Sequence, residues 1–521
     1  MPKVKVNGNE IEVAAGINVI EAAKQAGVEI PHYCYHPHLS IAGNCRMCVC
    51  ETETPRGNVM EIACNMQVRE GMVIHTETDK VKAARKSVME FLLVNHPLDC
   101  PICDQSGECR LQDYYMDHGA YDSRGVEAKV SKHKRQDIGD KIVLDAERCV
   151  QCSRCVRFGD EVTGTGELRL MNRGDHTEIG MFPGERLGHD YQENLADICP
   201  VGALTSKEFR FERRVWYLSE GDGVCTGCST GCNTTIGHQK GEVFRYQPRR
   251  NDVVNKSWMC DPGRDTYKQI GGLSRLLSGT VNGKQGPALA EAATRIKTAK
   301  SPGFVLGSQA TNEANWALVQ LAKIHRPDAK FFHVSGNDAG AIGKSDSFLI
   351  DGDKNPNSYG VRLLSGIVSV GDAAALRDSG CDVLVVLEDD IVSRLGSVPN
   401  PTIIYLGWKR SSTVDAATVV LPVTHPVEMD GTFVNRQGIV QRVRRVVNTM
   451  GDAAPAYAVL ERIGLALGKS LGTSMPVASF LAMSRAIPRM NGLDYKNIGS
   501  QGKAIAPEPT PEPAAASPEA K

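Results

Sequence analysis

The chain has 521 residues, of which 41% are hydrophobic and 23% are charged, an ordinary composition for a globular protein of several domains. Lys plus Arg number 60 and Asp plus Glu 61, so bulk charge gives no reason to expect nucleic acid or an anionic lipid surface as a partner. Apolar runs stay far short of the ~18 residues that span a bilayer, and the N-terminus has no apolar signal segment. We therefore expect neither a membrane-spanning, a secreted nor a disordered protein.

The first 80 residues predict a small α+β domain. Alternating apolar and polar residues predict strands over 3–6, 10–13 and 72–75, and helical spacing predicts a helix over 19–26 that ends at Gly27. Two strands, a helix and a returning strand are typical of a β-grasp ferredoxin-like domain. An amphipathic helix is then predicted over 80–94, and His96-Pro97 stops it.

The residue pattern of the remaining chain changes at two places. Gly and Cys interrupt residues 100–210, as in segments that inorganic clusters order. From about residue 270, a strand over 303–307, a helix over 312–324 and apolar strands over 382–387 and 402–406 predict a doubly wound parallel α/β domain. Five prolines with Ala and Glu predict a disordered tail over 503–521.

Cysteine usage carries most of the functional information. Sixteen of the 17 cysteines lie within the first 260 residues, and without a signal segment we interpret them as metal ligands rather than disulfide partners. They form four groups, in which the candidate ligands are Cys34, Cys45, Cys48 and Cys64; His96, Cys100, Cys103 and Cys109; Cys149, Cys152, Cys155 and Cys199; and Cys225, Cys228, Cys232 and Cys260.

The first group has a Cys-x2-Cys pair on a long loop between two isolated cysteines, which indicates a 2Fe–2S cluster in a domain over 1–80. A zinc site, the alternative, favours two tight pairs. Cys50 lies in a predicted strand, and we expect it to be a packed thiol rather than a ligand.

The second group, in a predicted 4Fe–4S domain over 81–120, has three cysteines, one fewer than a cubane cluster usually takes. His96 lies four residues before this triplet, and an imidazole can fill the fourth place. A lone His at a helix end is otherwise a capping or packing residue. Replacing a thiolate by neutral nitrogen removes negative charge and should raise the cluster potential.

The third group resembles a two-cluster bacterial ferredoxin that has lost one cluster. Gly159 stands where the fourth cysteine of the first run belongs, and Cys199-Pro200 is left from the second run. We expect one 4Fe–4S cluster in a degenerate ferredoxin-like domain over 138–212. The fourth group, over 217–273, has Cys-x2-Cys-x3-Cys and a distant cysteine, which favours 4Fe–4S over zinc or an empty site.

One 2Fe–2S and three 4Fe–4S clusters would use all sixteen candidate ligands. No Gly-x-Gly-x-x-Gly follows a predicted strand and no Walker sequence occurs, so we expect no flavin or nicotinamide site on the chain. A chain with several clusters and no such site is an electron conductor rather than a catalyst, and we assign no catalytic residue.

The four groups, in this order and spacing, resemble the large iron–sulfur subunit, known as the G subunit, of bacterial NADH:quinone oxidoreductase, respiratory complex I. The resemblance is carried by Gly43-Asn-Cys-Arg-Met-Cys48, His96-Pro-Leu-Asp-Cys-Pro-Ile-Cys103, Cys149-Val-Gln-Cys-Ser-Arg-Cys155 and Cys199-Pro-Val-Gly202. It covers about residues 1–270, and less specifically 300–470, where Glu428-x-Asp-Gly-Thr-Phe-Val-Asn435 is similar to molybdopterin oxidoreductases.

The resemblance implies a hetero-oligomeric complex coupled to proton translocation. Electrons would pass from a flavin- and NADH-binding subunit through the binuclear, the Cys149-type and the His96-type clusters to a quinone-side iron–sulfur subunit, with the Cys225-type cluster off that route. The chain would lie in the peripheral arm, on the cytoplasmic side of the bacterial inner membrane, and would meet the membrane only through the complex.

The part after Cys260 is short for a complete molybdopterin domain. We expect a shortened domain of that type over 274–500, without molybdopterin, in which Gly431, Thr432 and Asn435 serve turns and backbone hydrogen bonds. The rivals are a subunit of a cluster-rich formate dehydrogenase or of an NAD-linked hydrogenase. The first needs a molybdenum ligand, and we interpret Cys381 instead as a small residue entering a buried strand.

Overall fold

The computed structural model describes residues 1–334, 344–396 and 401–507. The chain divides into two compact units, Met1–Leu218 and Ser219–Lys521. Within the described ranges, no helix has both the length and the apolar character needed to cross a membrane.

The first unit begins with a five-stranded sheet in the order β2-β1-β5-β3-β4. Its strands are β1 (Lys3–Val6), β2 (Asn9–Glu12), β3 (Val49–Thr54), β4 (Gly57–Ile62) and β5 (Met72–His75). Helix α1 (Val19–Gln25) begins at Asn18, whose side chain accepts a hydrogen bond from the Glu21 amide, and packs on the sheet. The predicted β-grasp domain is confirmed, and the β3–β4 hairpin is added to it.

Short elements make up the rest of the first unit. The helices are α2 (Asp79–Leu93), α3 (Arg110–His118), α4 (Arg154–Phe158) and α5 (Asn194–Ile198). The strands are β6 (Gln136–Asp137), β7 (Ile142–Leu144), β8 (Arg169–Met171), β9 (Glu178–Gly180) and β10 (Leu204–Ser206). Helix α2 matches the predicted helix over 80–94, and Thr78 caps it by accepting a hydrogen bond from the Val81 amide.

The second unit opens with an antiparallel sheet and a short helix, and then forms an eight-stranded sheet among the described residues. Its strands are β11 (Ser219–Val224), β12 (Asn233–Gln239), β13 (Glu242–Pro248), β14 (Thr280–Val281), β15 (Lys284–Gln285), β16 (Pro302–Val305), β17 (Lys330–Phe332), β18 (Val370–Gly371), β19 (Val383–Leu387), β20 (Thr402–Gly407), β21 (Val419–Pro422), β22 (Gly431–Val434), β23 (Ile439–Val443) and β24 (Lys503–Ala504). Its helices are α6 (Asp261–Arg264), α7 (Ala288–Thr298), α8 (Asn312–His325), α9 (Ser358–Leu364), α10 (Ala373–Arg377), α11 (Ile391–Leu395), α12 (Ser412–Ala416), α13 (Ala456–Ala466), α14 (Pro476–Ala486) and α15 (Tyr495–Ile498).

The large sheet has the order β15-β14-β21-β20-β19-β16-β17-β18, and the strands from β21 to β18 are parallel. Strand β19 is buried along its whole length, and its side chains alternate between two apolar layers: Val385 packs in one, Val386 in the other. Burial on both faces explains the unbroken apolar run. The predicted doubly wound α/β domain is confirmed.

The motif around Gly431 differs in part from expectation. Gly431 and Thr432 lie in strand β22 rather than in a turn, and the Thr432 amide and hydroxyl each donate a 2.8 Å hydrogen bond to the buried Glu313 carboxylate. The Tyr495 hydroxyl donates to the same carboxylate. Asn435 serves a turn as predicted, since its side chain accepts hydrogen bonds from the Gln437 and Ile439 amides.

The predicted disordered tail starts too early in the chain. Strand β24 pairs with β23 through Ile439 and Ala504, and the Ile505 amide donates to the Gly438 carbonyl. These main-chain hydrogen bonds and the burial of the Ile505 side chain hold residues 503–505 in the fold, although their composition predicted a tail. Residues 508–521 lie outside the described ranges.

Candidate metal centres

The structure brings the four cysteines of the first group into mutual contact in the first unit. Cys34 is buried in the long loop before β3, and Cys48 is buried at the end of that loop. Cys64 lies in the turn after β4. The Cys34 thiol lies beside the Cys45 and Cys64 thiols, which lower its pKa. The Cys64 thiol also lies beside the Cys48 thiol. Four thiols therefore meet at one end of the β-grasp sheet.

Cys50, two residues further along, behaves differently. It is fully buried in strand β3, opposite Glu61 of β4, and belongs to the apolar core of the domain. Burial raises the pKa of its thiol to about 12. Its position is the one expected of a packed thiol.

The second group surrounds a cavity of about 720 Å³ in the first unit. The predicted ligands that line it are His96, Cys100, Cys103 and Cys109. Cys109 immediately precedes helix α3, whereas Cys100 and Cys103 flank a single helical turn. Burial, with Lys129 and Arg148 nearby, lowers the pKa of His96 to about 4, so the imidazole is neutral at pH 7, the form that binds a metal.

The third group closes around a much smaller space of about 20 Å³, lined by Cys149, Cys152, Cys155 and Cys199. A cluster there requires the thiol side chains to rotate apart. The backbone around them is already arranged for sulfur, since Gln151 has φ of 53° and its amide donates a 3.3 Å hydrogen bond to Cys149 Sγ. Burial raises the pKa of the Cys149 and Cys199 thiols to about 12.

The fourth group lies at the start of the second unit. Cys225 follows β11, Cys232 precedes β12 and Cys260 precedes α6. The Cys225 amide donates a 2.8 Å hydrogen bond to the Cys232 carbonyl, and the Gly227 amide donates to Cys225 Sγ at 3.4 Å. A Cβ added to Gly263 would lie 3.1 Å from both Cys225 Sγ and Cys260 Sγ, so a larger residue there would require these thiols to shift by a few tenths of an ångström.

The donor chemistry fits iron–sulfur clusters, which thiolates hold through separate iron atoms. Backbone amides reach ligand sulfur in the third and fourth groups, and such hydrogen bonds stabilise the thiolate form that a cluster needs.

Sequence reasoning missed contacts that join the groups. A Cβ added to Gly202, in the run that begins at Cys199, would lie 2.2 Å from Cys103 Sγ of the second group. Arg157 donates hydrogen bonds to the carbonyls of Cys34 (2.6 Å) and Cys152 (3.2 Å), which belong to the first and third groups. The sequence Cys152-Ser-Arg-Cys-Val-Arg157 shows that the arginines lie close to cysteines of the third group. It does not show that Arg157 contacts the distant Cys34 carbonyl.

Family models of separate domains together match most of the chain. Their descriptions are a 2Fe-2S iron-sulfur cluster binding domain (residues 2–79), an NADH-ubiquinone oxidoreductase-G iron-sulfur binding region (85–124), an NADH-quinone oxidoreductase subunit 3, ferredoxin-like domain (139–205), an NADH-ubiquinone oxidoreductase NDSU1/NuoG-like, 4Fe-4S domain (226–268) and a molybdopterin oxidoreductase (290–465). The predicted fold class is confirmed by these matches.

Similar curated proteins come from several organisms. The NADH-quinone oxidoreductase G subunit of Rickettsia conorii is 45% identical over 267 residues, 51% of this chain and 39% of the relative. The G subunit of Streptomyces coelicolor is 38% identical over 330 residues, 61% of this chain and 39% of the relative. The mitochondrial NADH dehydrogenase [ubiquinone] iron-sulfur protein 1 of Solanum tuberosum is 44% identical over 51% of this chain and 36% of its own length. The matched segments thus span about two fifths of these curated relatives.

One solved structure is a chain from the crystal structure of NAD+-reducing [NiFe]-hydrogenase in the H2-reduced state. It is 26% identical, with a TM-score of 0.36, and the match covers 41% of this chain and 91% of that one. At that TM-score, no argument about this chain rests on the likeness.

The fold and the donor sets define the class of the molecule: it is an iron–sulfur protein with 2Fe–2S and 4Fe–4S binding domains. More particularly, the chain is similar to the large iron–sulfur G subunit of NADH-quinone oxidoreductase over the segments that these comparisons match. The resemblance identified from the cysteine groups is confirmed.

Proposed function

We propose that the chain carries electrons through iron–sulfur clusters as the large iron–sulfur subunit of an NADH:quinone oxidoreductase. The observation that carries this proposal is a shared core: Cys34, Cys109 and Cys152, one donor from each of three groups, pack in a single apolar cluster with Tyr33 and Tyr114. When bound, the clusters would supply one-electron carriers. The first unit would hold three of them close together around one packed core.

The proposed ligand sets are those of the four cysteine groups. Cys34, Cys45, Cys48 and Cys64 would hold a 2Fe–2S cluster, and the three sets His96 with Cys100, Cys103 and Cys109, Cys149 with Cys152, Cys155 and Cys199, and Cys225 with Cys228, Cys232 and Cys260 would each hold a 4Fe–4S cluster. The proposed domains follow the predicted bounds 1–80, 81–120, 138–212, 217–273 and 274–500.

The α/β domain would serve structure and docking, without a molybdopterin. Its one cysteine among the described residues, Cys381, is 8% exposed and packs in the core with Phe332 and Leu384. A Cβ added to Gly303 would lie 2.9 Å from its sulfur, so the thiol fills a packed space rather than facing a crevice. That environment supports a packing role and no role as a molybdenum ligand.

The partners would be a flavin- and NADH-binding subunit that supplies electrons and an iron–sulfur subunit that passes them toward quinone. The chain would occupy the peripheral arm of the complex on the cytoplasmic side of the bacterial inner membrane, in an enzyme coupled to proton translocation. This part of the proposal rests on the relatives, whose descriptions name NADH-quinone oxidoreductase.

Metal and sulfide analysis of the full chain, purified without oxygen, tests the proposal. One 2Fe–2S and three 4Fe–4S clusters correspond to about 14 iron and about 14 acid-labile sulfide atoms per chain. Zinc in place of iron would contradict the cluster assignment, and stoichiometric molybdenum or tungsten would move the protein to the formate dehydrogenase class.

A matched pair of variants makes the assay specific to one site. Cys48 and Cys50 are both buried and lie two residues apart, but Cys48 lies beside the Cys64 thiol, whereas burial dominates the environment of Cys50. Cys48→Ser should remove the EPR signal of the 2Fe–2S cluster and about two iron atoms, whereas Cys50→Ser should remove neither. Equal loss from the two variants would show that iron content reports folding rather than ligation.

A further inference from the structure

Two arginines on helix α4 lie between the first and third cysteine groups. Arg154 donates a 3.0 Å hydrogen bond to the Ile198 carbonyl and a second hydrogen bond to the Tyr35 carbonyl. Ile198 immediately precedes the predicted ligand Cys199, and Tyr35 immediately follows Cys34. One guanidinium therefore touches the backbone beside a ligand of each group.

Arg157 makes the same connection one helical turn later. Its guanidinium donates to the carbonyls of Cys34, Cys152 and Ser40. Residues three apart on a helix share a face, so both guanidinium groups point toward the same junction. Five of the six acceptors of the two arginines are main-chain carbonyls, and the sixth is the Ser153 hydroxyl, which accepts from Arg157 at 3.4 Å.

The charge of these groups has no conventional partner. Among the described residues, neither Arg154 nor Arg157 forms an ion pair with a carboxylate, although Arg154 is only 7% exposed. Arg148, which is 5% exposed, shows the ordinary arrangement, with Asp99 at 2.8 Å and Asp145 at 3.5 Å. Burying an unpaired cation is costly, so a compensating negative charge is expected nearby.

We propose that Arg154 and Arg157 are shared counter-charges for the clusters held by the first and third groups, and that they raise the reduction potential of both. This inference rests on the proposed function. A cluster with four thiolate ligands carries net negative charge, which grows on reduction, so a fixed cation beside it favours the reduced state. The two guanidinium groups would act through their charge from beside the ligand loops, without being ligands themselves.

Redox titration of the full chain, followed by low-temperature EPR, tests the proposal. Arg154→Gln should lower the midpoint potential of both the 2Fe–2S cluster and the Cys149-group cluster, with each reduction constant falling about tenfold, or about 59 mV for one electron. Arg154→Lys keeps the charge and should shift both potentials less. Arg169→Gln, which removes a half-exposed pair with Asp160 in the same unit, should shift neither.

A shift in only one cluster, or none, in Arg154→Gln would overturn the shared role, as would an equal shift in Arg154→Lys. If the buried Arg154→Gln variant does not assemble its clusters, Arg157→Gln is judged by the same criterion, because that side chain is half-buried and also donates to the backbone of the first and third groups, at Cys34 and Cys152. A wild-type chain without either EPR signal would instead refute the proposed function itself.

Discussion

Replacing Gly202 by Ala probes the contact between the second and third cysteine groups. Gly202 belongs to the run that starts at Cys199, and it faces Cys103 of the neighbouring group. Its backbone lies outside the left-handed region, so alanine adopts it without strain, and space is the only obstacle. The substitution therefore tests a single contact.

The structure sets the size of the perturbation. An added Cβ would lie 2.2 Å from Cys103 Sγ, and ordinary contact begins at 3.4 Å, so the sulfur must retreat by about 1.2 Å, the difference between the two. Gln105 Cβ, at 3.1 Å, closes another direction. Metal–ligand distances tolerate only about 0.2 Å, and overpacking a core costs about 1–3 kcal/mol. Cys103 would be lost as a ligand.

Iron analysis and EPR of the full chain are the assay. Gly202→Ala should lose the EPR signal of the His96-group cluster and about four iron atoms per chain, while the 2Fe–2S signal stays. Gly188→Ala is the matched control, since an added Cβ there meets nothing within 4 Å. A Gly202→Ala protein with the same iron content and the same EPR signals as wild type would refute this reasoning.

Three further predictions concern single residues. His96→Cys should keep its cluster at a lower potential, because a thiolate adds negative charge, and His96→Ala should lose it; an unchanged EPR signal in His96→Ala would rule out ligation. Cys232→Ala should reduce the yield of assembled complex more than it reduces the NADH-to-quinone rate of each complex that does assemble. A fully assembled but inactive variant would contradict this. Burial raises the pKa of the Glu313 carboxyl group from 4.5 to about 7. The protonated carboxyl therefore contributes stability that is fully present below pH 4.5 and is lost as the pH rises through 7. This loss of stability is about 3 kcal/mol. In urea unfolding, Glu313→Gln should lose less stability than wild type between pH 5 and pH 8, and an equal loss would refute the assignment.

Local patterns predict the elements whose causes are local. Helix α8 is predicted over 312–324 and spans Asn312–His325, because Thr311 caps its start and its apolar face is continuous. Strand β19 is recognisable by five apolar residues in succession. The β3–β4 hairpin escapes prediction, because β4 is exposed along nearly its whole length and shows no apolar alternation.

Contacts between distant segments set the limit of prediction. Thr432, predicted to serve turns and backbone hydrogen bonds, lies in a strand, and its amide donates to Glu313, which lies 119 residues away. Arg157 meets the Cys34 carbonyl across 123 residues. Ligand spacing is visible within one segment at a time, whereas the junction between two ligand loops exists only after the domains have packed.

The electron path through this chain is the central claim, and NADH reduction of the complex that contains it is the direct measurement. The complex would be mixed with NADH, frozen at successive times, and examined by low-temperature EPR beside a quinone-reduction assay. We expect the 2Fe–2S cluster and the clusters of the Cys149 and His96 groups to become reduced before or together with quinone. Quinone reduction at the full rate while these clusters stay oxidised would contradict it.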